Sequence, residues 1–273
     1  SMSLKLTLHT PPSVPLEAEN ISPDCLDGLS VAEIEALPVY HGNQQAALAD
    51  FFTVAGTANS EIELEGDAAS LKKVKMIGAR MSHGRIVIHG DVGNHLGTGM
   101  SGGEIVVEGN VGDWAGLEMS GGVLEIKGDA GDALAANYRG TDIGMLNGEI
   151  FVHGSAGTEV GGAMRRGLIA VGGDTGDFTG VNMLAGSIIV LGNMGWRTAA
   201  GMIRGTVVSM NEARILPTFT YATTYKPSFL RIYLLRMREM GLPVEDVHIN
   251  GLYRRYSGDS VELNRGEILI FDS

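Results

Sequence analysis

Residues 94–112 read NHLGTGMSGGEIVVEGNVG and residues 113–131 read DWAGLEMSGGVLEIKGDAG; after an interruption the pattern returns as TEVGGAMRRGLIAVGGDTG at 158–176 and DFTGVNMLAGSIIVLGNMG at 177–195. Each unit is 19 residues long, and self-similarity at a fixed period outranks any single-element signal. One methionine column runs Met81, Met100, Met119, Met145, Met164, Met183 and Met202, in steps of 19 residues except the third, which is 26. Three positions after each methionine stands a glycine: Gly84, Gly103, Gly122, Gly148, Gly167, Gly186 and Gly205. Two residues beyond the first six of these begins an apolar-x-apolar triplet: Ile86 with Ile88, Ile105 with Val107, Leu124 with Ile126, Ile150 with Val152, Ile169 with Val171, and Ile188 with Val190. That spacing is a period-two strand signal.

A 19-residue unit is too short for a strand–helix–strand crossover but suits one coil of a single-stranded parallel β-helix, an all-β fold. Seven to eight such coils at about 4.8 Å each predict a rod roughly 35 Å long. Its interior is expected to hold the methionine column and the triplets, stacked like on like. Binding of a soft metal by the methionines is the competing reading, but neither Cys nor His recurs beside them. Each triplet is followed by glycine and usually Asp or Asn, as in Gly90-Asp91, Gly109-Asn110, Gly128-Asp129, Gly173-Asp174 and Gly192-Asn193. These are expected at positive φ, with Asp91, Asp129 and Asp174 bonding their own backbone.

The flanks do not repeat. Residues 1–60 are expected to cap one end, with Ser30-Val-Ala-Glu33 opening a short helix that stops before Pro38. Residues 61–214 are expected to form the glycine-rich rod, and 215–273 a cap made of a helix and a hairpin. That helix is read from Pro227 to Met240, with Leu230, Tyr233, Leu234, Met237 and Met240 on one face. The hairpin is read from Val247–Ile249 and Glu267–Phe271. Seven extra residues within 132–144 are expected to lift Tyr138, Arg139 and Asp142 off the regular surface, as candidate partner contacts.

The 273 residues include 20 basic and 32 acidic side chains, so the net charge of −12 argues against nucleic acid or an anionic membrane as partner. One cysteine, Cys25, excludes an internal disulfide framework and fits a cytoplasmic location. No apolar run is long enough to span a membrane, no signal peptide is evident, and Ser1 before Met2 is expected to be a cloning remnant.

Chemistry is searched for and not found. His89 and His153 share an outward column but stand three coils apart, about 14 Å, too far for one metal ion. His89, Glu108 and Lys127 are expected to form a solvated ladder on adjacent coils. His9, His41, His83, His95 and His248 show no ligand spacing, no Gly-x-Ser-x-Gly occurs, and no phosphate-loop lysine follows the glycines. No catalytic, cofactor or metal residue is therefore assigned.

Taken with the coils, the leader Val14-Pro-Leu-Glu-Ala-Glu-Asn20, His41-Gly-Asn43, Asp50-Phe-Phe52 with Val54 and Gly56, and the insertion Tyr138-Arg-Gly140 with Gly144-Met145 resemble the C subunit of formylmethanofuran dehydrogenase and of its relative, the formyltransferase/hydrolase complex of methylotrophic bacteria. The resemblance implies a right-handed β-helix without catalytic residues or a bound cofactor. It implies a scaffold in tetrahydromethanopterin-linked one-carbon metabolism, beside an amidohydrolase-type hydrolase subunit, a formyltransferase subunit and a further B-type subunit. The hydrolase-complex version, which passes a formyl group to a methanofuran-type carrier and releases formate, is favoured because the surface is less dense in Lys and Glu than in heat-adapted archaea. The C subunit of a tungsten or molybdenum dehydrogenase is the alternative. The coil also resembles the C-terminal β-helix of the glutamate synthase large subunit, against which the flanks argue. A stand-alone β-helix binding a polymer is the reading from another class, but Trp114 and Trp196 form no aromatic ladder.

Overall fold

The computed structural model describes residues 2–66 and 71–273. Ser1, expected as a cloning remnant, lies outside the described residues, as do residues 67–70 of the expected rod. The described chain is mostly sheet with few helices.

The repeat places one strand in each unit: β8 (Arg85–His89), β9 (Glu104–Val107), β10 (Val123–Ile126), β11 (Glu149–Val152), β12 (Leu168–Val171), β13 (Ser187–Val190) and β14 (Arg204–Ser209). Each pairs in parallel with the next in chain order. Ile86 stands opposite Ile105, then Leu124, Ile150, Ile169, Ile188 and Val207 follow in one unbroken row. The longer step between β10 and β11 does not shift that register, so the seven extra residues are absorbed outside the strands. A second line of contact bridges Val92, Val111 and Ala130. A third carries backbone bonds from Ser101 to Met81 (2.8 Å), Ser120 to Met100 (2.9 Å), Leu146 to Met119 (2.8 Å) and onward to Ile203 on Met183 (2.8 Å).

All seven column methionines and the inward triplet residues have no exposed surface. Burying each methionine contributes about 1.5–3 kcal/mol. The column glycines make room for them: a Cβ on Gly103 (φ +77°) would sit 2.7 Å from Met81 Cε, and one on Gly122 (φ +84°) 2.9 Å from Met100 Cε. The thioether tip of each coil thus reaches over the glycine of the next.

The Asp and Asn turn residues do not bond their own backbone as expected; they bond the next repeat. Asp91 Oδ1 accepts the Asn110 N–H at 2.7 Å, Asn110 Oδ1 the Asp129 N–H at 2.7 Å, Asp129 Oδ1 the Ser155 N–H at 2.8 Å, and Asp174 Oδ1 the Asn193 N–H at 2.7 Å. Asn94, Asp113 and Asp132 form a parallel series, each bond 2.8 Å long. The preceding glycines serve space rather than dihedral freedom. Gly109, Gly128 and Gly192 are not at positive φ, yet a Cβ on any of them would lie 2.2–2.3 Å from the Oδ1 of the coil before. A carboxylate reaching across coils crowds out every side chain but hydrogen.

Upstream, β1 (Leu4–Leu8) adds in parallel to β6 (Glu61–Glu65), which leads into β8, and β5 (Phe52–Ala55) pairs antiparallel with β1. A smaller sheet holds β2 (Leu16–Glu17), β3 (Pro38–His41), β4 (Gln44–Ala47) and β7 (Val74–Lys75) in the order β4-β3-β2-β7. Helix α1 (Pro23–Leu26) and helix α2 (Val31–Glu35), the latter opened by a Ser30–Glu33 capping box, complete this part.

Downstream, the expected helix is found as α3 (Leu230–Glu239), but it lies along the side of the strands rather than over their end. Leu230, Leu234 and Met237 pack with Phe151, Leu168, Ala170, Ile189 and Val208, the outward residues of β11 to β14. The end is closed instead by strands. β17 (Arg265–Phe271) pairs in parallel with β14, β16 (Tyr253–Gly258) antiparallel with β17, and β15 (Thr220–Tyr225) antiparallel with β16. Residues Val247–Ile249, expected as a hairpin strand, belong to helix α4 (Asp246–Asn250). Glu245 enters that helix extended and its N–H donates to His248 Nδ1 at 3.1 Å, while β16 supplies the longer partner that β17 needs.

Candidate functional site

Among the described residues, the side chains form no constellation of reacting groups. Among the described residues, no group of three His, Cys, Asp or Glu could hold a metal ion. Each histidine sits in its own structural setting. His9 Nε2 lies 3.0 Å from the Ala49 carbonyl, and His41 Nε2 accepts the Ser13 N–H at 3.2 Å. His95 stacks on Trp114 with centroids 5.1 Å apart, and burial lowers its pKa. His89 is exposed in the row that continues through Glu108 and Lys127 to His153. His153, at the end of that outward row, is partly covered: its Nε2 lies 3.2 Å from Glu125 Oε2, and the Gly241–Leu242 bend beyond α3 covers this row, approaching His153 and Gly172. Glu125 is only 7% exposed and also meets Lys127 at 3.3 Å.

One cluster has the composition of a catalytic triad and the geometry of a clasp. Ser82 Oγ lies 3.2 Å from His83 Nδ1, and His83 Nε2 lies 2.9 Å from Asp27 Oδ2. The Ser82 hydroxyl, however, donates to Asp24 Oδ2 at 2.5 Å, and Asp24 Oδ1 accepts the Ser82 N–H at 2.9 Å. Ser60 gives both its N–H and its hydroxyl to Asp27. The serine proton is therefore committed to a carboxylate and not to the imidazole, as a nucleophile would require. The hydrogen bond to Asp27 raises the His83 pKa. Burial alone would raise Asp24 and Asp27, but the serine and histidine bonds prevail and lower both. The cluster fastens α1 to the first repeat, and Cys25 on that helix is exposed and free.

The insertion forms a fixed turn. Thr141 donates its N–H (3.0 Å) and Oγ (2.9 Å) to the Tyr138 carbonyl, and Asn137 Nδ2 donates to the Thr141 carbonyl at 2.6 Å. Tyr138 and Arg139 stand exposed at its tip, whereas Asp142 lines a groove of about 300 Å³ with Asn137, Arg165, Asn182, Leu184 and Ile203. The three expected contacts therefore divide between a tip and a groove wall.

No model of a known protein family matches the chain. A chain in the crystal structure of the formyltransferase/hydrolase complex FhcABCD from Methylorubrum extorquens, in complex with methylofuran, matches with a TM-score of 0.90 and 33% identity, over 98% of this chain and 100% of that one. The C subunit of the molybdenum-containing formylmethanofuran dehydrogenase 1 of Methanothermobacter marburgensis is 44% identical over 86 residues, 31% of this chain and 21% of that protein. The C subunit of the tungsten-containing formylmethanofuran dehydrogenase 2 of Methanothermobacter thermautotrophicus is 43% identical over 97 residues, 34% of this chain and 35% of that protein. This chain belongs to the same family as that chain of the formyltransferase/hydrolase complex. The matched segment spans only about a fifth to a third of these dehydrogenase proteins, whereas the match to the chain of the hydrolase complex is end to end.

Within this member of the family, the residues that the sequence pattern leaves unremarked are the middle residues of the triplets. A period-two strand puts them on its solvent side, yet Phe151, Ala170, Ile189 and Val208 are fully buried. Their apolar character is the available signal, since a strand apolar at every position is covered on both faces. Helix α3 is held there by Arg236, whose Nε and Nη2 donate to Glu149 at 3.0 and 3.1 Å. That hydrogen bonding raises the pKa of Arg236.

Proposed function

We propose that this chain is the noncatalytic scaffold of a tetrahydromethanopterin-linked formyltransferase/hydrolase complex. Its rod, residues 61–214, is a right-handed parallel β-helix of seven to eight coils between an N-terminal segment of 1–60 and a C-terminal one of 215–273. It holds an amidohydrolase-type hydrolase subunit, a formyltransferase subunit and a B-type subunit in the cytoplasm, binding no cofactor itself. The partners transfer the formyl group to a methanofuran-type carrier and release formate. The observation that carries this reading is the end-to-end match, at 33% identity, to a chain of the FhcABCD complex. The unbroken in-register row of parallel strands supports the β-helix, and the clasp geometry around His83 supports a chain without a nucleophile. Tyr138, Arg139 and Asp142 are proposed as partner contacts on the insertion.

The second reading, the C subunit of a molybdenum or tungsten dehydrogenase, is favoured by the higher local identity of 43–44% to those proteins. Affinity purification of the tagged chain from its native organism, with co-purifying proteins identified and assayed for formyl transfer and formate release, separates the two. Recovery of a hydrolase and a transferase is expected. A molybdenum or tungsten protein would move the chain to the dehydrogenase, and recovery of the chain alone would overturn both. His89→Ala is expected to leave the activity of the assembled complex intact; a large loss in a well-folded variant would make the chain catalytic.

A further inference from the structure

The two residues after each column methionine form a corner of the coil that changes character along the chain. In the first three coils they are Ser82-His83, Ser101-Gly102 and Ser120-Gly121; in the last four they are Leu146-Asn147, Arg165-Arg166, Leu184-Ala185 and Ile203-Arg204. Arg165, Arg166 and Arg204 are exposed, and among the described residues they make no ion pair or side-chain hydrogen bond. By contrast Lys5, Lys72, Lys75, Arg80, Arg85 and Lys127 toward the other end all meet a carboxylate. The next strand deepens the imbalance. Arg204 of β14 stands directly opposite Arg265 of β17, also exposed and unpaired among the described residues. Like charges facing one another across a strand pair destabilise it unless an anion intervenes. In a chain of net charge −12 this is a local reversal of sign.

The same corner shows what such an anion looks like. On the first coil it is occupied by α1, whose Asp24, and Asp27 at its C-terminal cap, take up Ser82 and His83. An acidic stretch of chain laid on this corner is therefore already part of the fold, supplied in cis at one end. We propose that the corner of the last coils, centred on Arg165, Arg166, Arg204 and Arg265 beside the groove of Leu184 and Ile203, docks an acidic segment of a partner subunit. The groove itself carries two carboxylates, Asp142 and Glu262, against four exposed arginines at the corner, and its half-exposed apolar side chains together with Leu146, 40% exposed, suit a peptide rather than a nucleic acid, whose backbone the overall charge would repel. Carboxylates of the partner would meet the guanidinium forks, with apolar side chains between them.

This inference rests on the scaffold reading, and one experiment separates the two. The chain is co-expressed with the hydrolase and transferase subunits of its organism, and assembly is followed by gel filtration from about 50 to about 500 mM NaCl. Arg166→Glu combined with Arg204→Glu is expected to weaken assembly by about tenfold or more and to flatten its salt dependence. Lys72→Glu, on a distant face, serves as the control, and circular dichroism establishes that each variant is folded. A photo-crosslinking residue at Leu184 in the otherwise unaltered chain is expected to capture an acidic peptide of a partner subunit. Unchanged assembly of the double variant, or capture of a second copy of this chain or of nucleic acid, would overturn the docking surface and leave the scaffold reading standing. Failure of the unaltered chain to assemble would overturn both.

Discussion

Strands β8 and β13 come from the same repeat and stand in the same sheet, yet β8 alternates between exposed and buried residues while β13 is buried at all four. Inward, the two are alike: Ile86 and Ile88 in one, Ile188 and Val190 in the other, none with exposed surface. Outward, β8 carries half-buried Val87 between exposed Arg85 and His89, whereas β13 carries Ile189 beneath the C-terminal helix. The interior is thus a property of the repeat, and the exterior a property of what the rest of the chain lays upon it. A 19-residue repeat can specify its own core because its neighbour has the same core, but it cannot specify its cover.

The sharpest test of the shared interior is a charge within it. Met100→Asp and Met164→Asp are each expected to cost about 5 kcal/mol and to unfold the coils, in both halves alike. Chemical denaturation followed by circular dichroism would measure it, and tolerance of either would mean that the column is not one continuous core. The exterior should respond unequally. Ile189→Asp is expected to cost about 3 kcal/mol by placing a charge against Leu234 and its neighbours, while Val87→Asp, on an uncovered face but opposite Glu63, should cost no more than about 1 kcal/mol. Equal losses at the two sites would remove the distinction drawn between the strands.

The ladder between coils gives an intermediate effect. Gly128→Ala would push a Cβ to within 2.2 Å of Asn110 Oδ1 and is expected to cost about 2 kcal/mol, whereas Asn110→Ala loses one hydrogen bond, about 1 kcal/mol. Combining them should give less than the sum, since removing Asn110 Oδ1 relieves the closest contact, although the Gly109 carbonyl, 2.7 Å from that Cβ, remains; strict additivity in a double-mutant cycle would show that the side-chain oxygen does not contribute to the crowding.

The smallest expected effect concerns pH at the N-terminal clasp. The His83 pKa lies above its ordinary 6.5, so its contribution is complete below that value and is lost as pH rises through the raised one. Asp24 and Asp27 lie below their ordinary 3.8, so their contribution is present above that value and is lost as pH falls through the lowered ones. Amide exchange in α1, corrected for the intrinsic pH dependence, should be slowest between about pH 4 and about pH 6.5. Protection that His83→Gln leaves unchanged within that range would show that the imidazole carries no part of the clasp.

The elements legible in the sequence and those that are not divide along a physical line. The strand in each repeat, the methionine column, the capping box at Ser30 and the amphipathic face of Leu230, Leu234 and Met237 are short-range patterns, and all are present where the sequence places them. Position in space is less legible. The helix expected over an end lies along a side, because its apolar face is matched by Phe151, Ile189 and Val208, residues 22 to 79 positions before Leu230. The strand partner of Glu267–Phe271, expected at Val247–Ile249, is Tyr253–Gly258, since a seven-residue strand pairing with β14 needs a partner of comparable length. The reach of Asp91 to Asn110 is hidden because a turn residue looks the same whether it bonds its own backbone or that of a neighbouring coil.

By itself the sequence determined that the chain repeats every 19 residues, that each repeat holds one strand and one buried methionine, and that seven residues interrupt the series once. These follow from local periodicity, in which every coil states its own pattern. Only the tertiary structure decided that the last repeats are covered on their outer face, that Asp and Asn side chains tie repeat to repeat, and that Arg165, Arg166, Arg204 and Arg265 stand exposed without a carboxylate partner among the described residues. Those depend on which residues distant in the chain become neighbours, and a repeat fixes the contacts of a coil with the next coil but with nothing else.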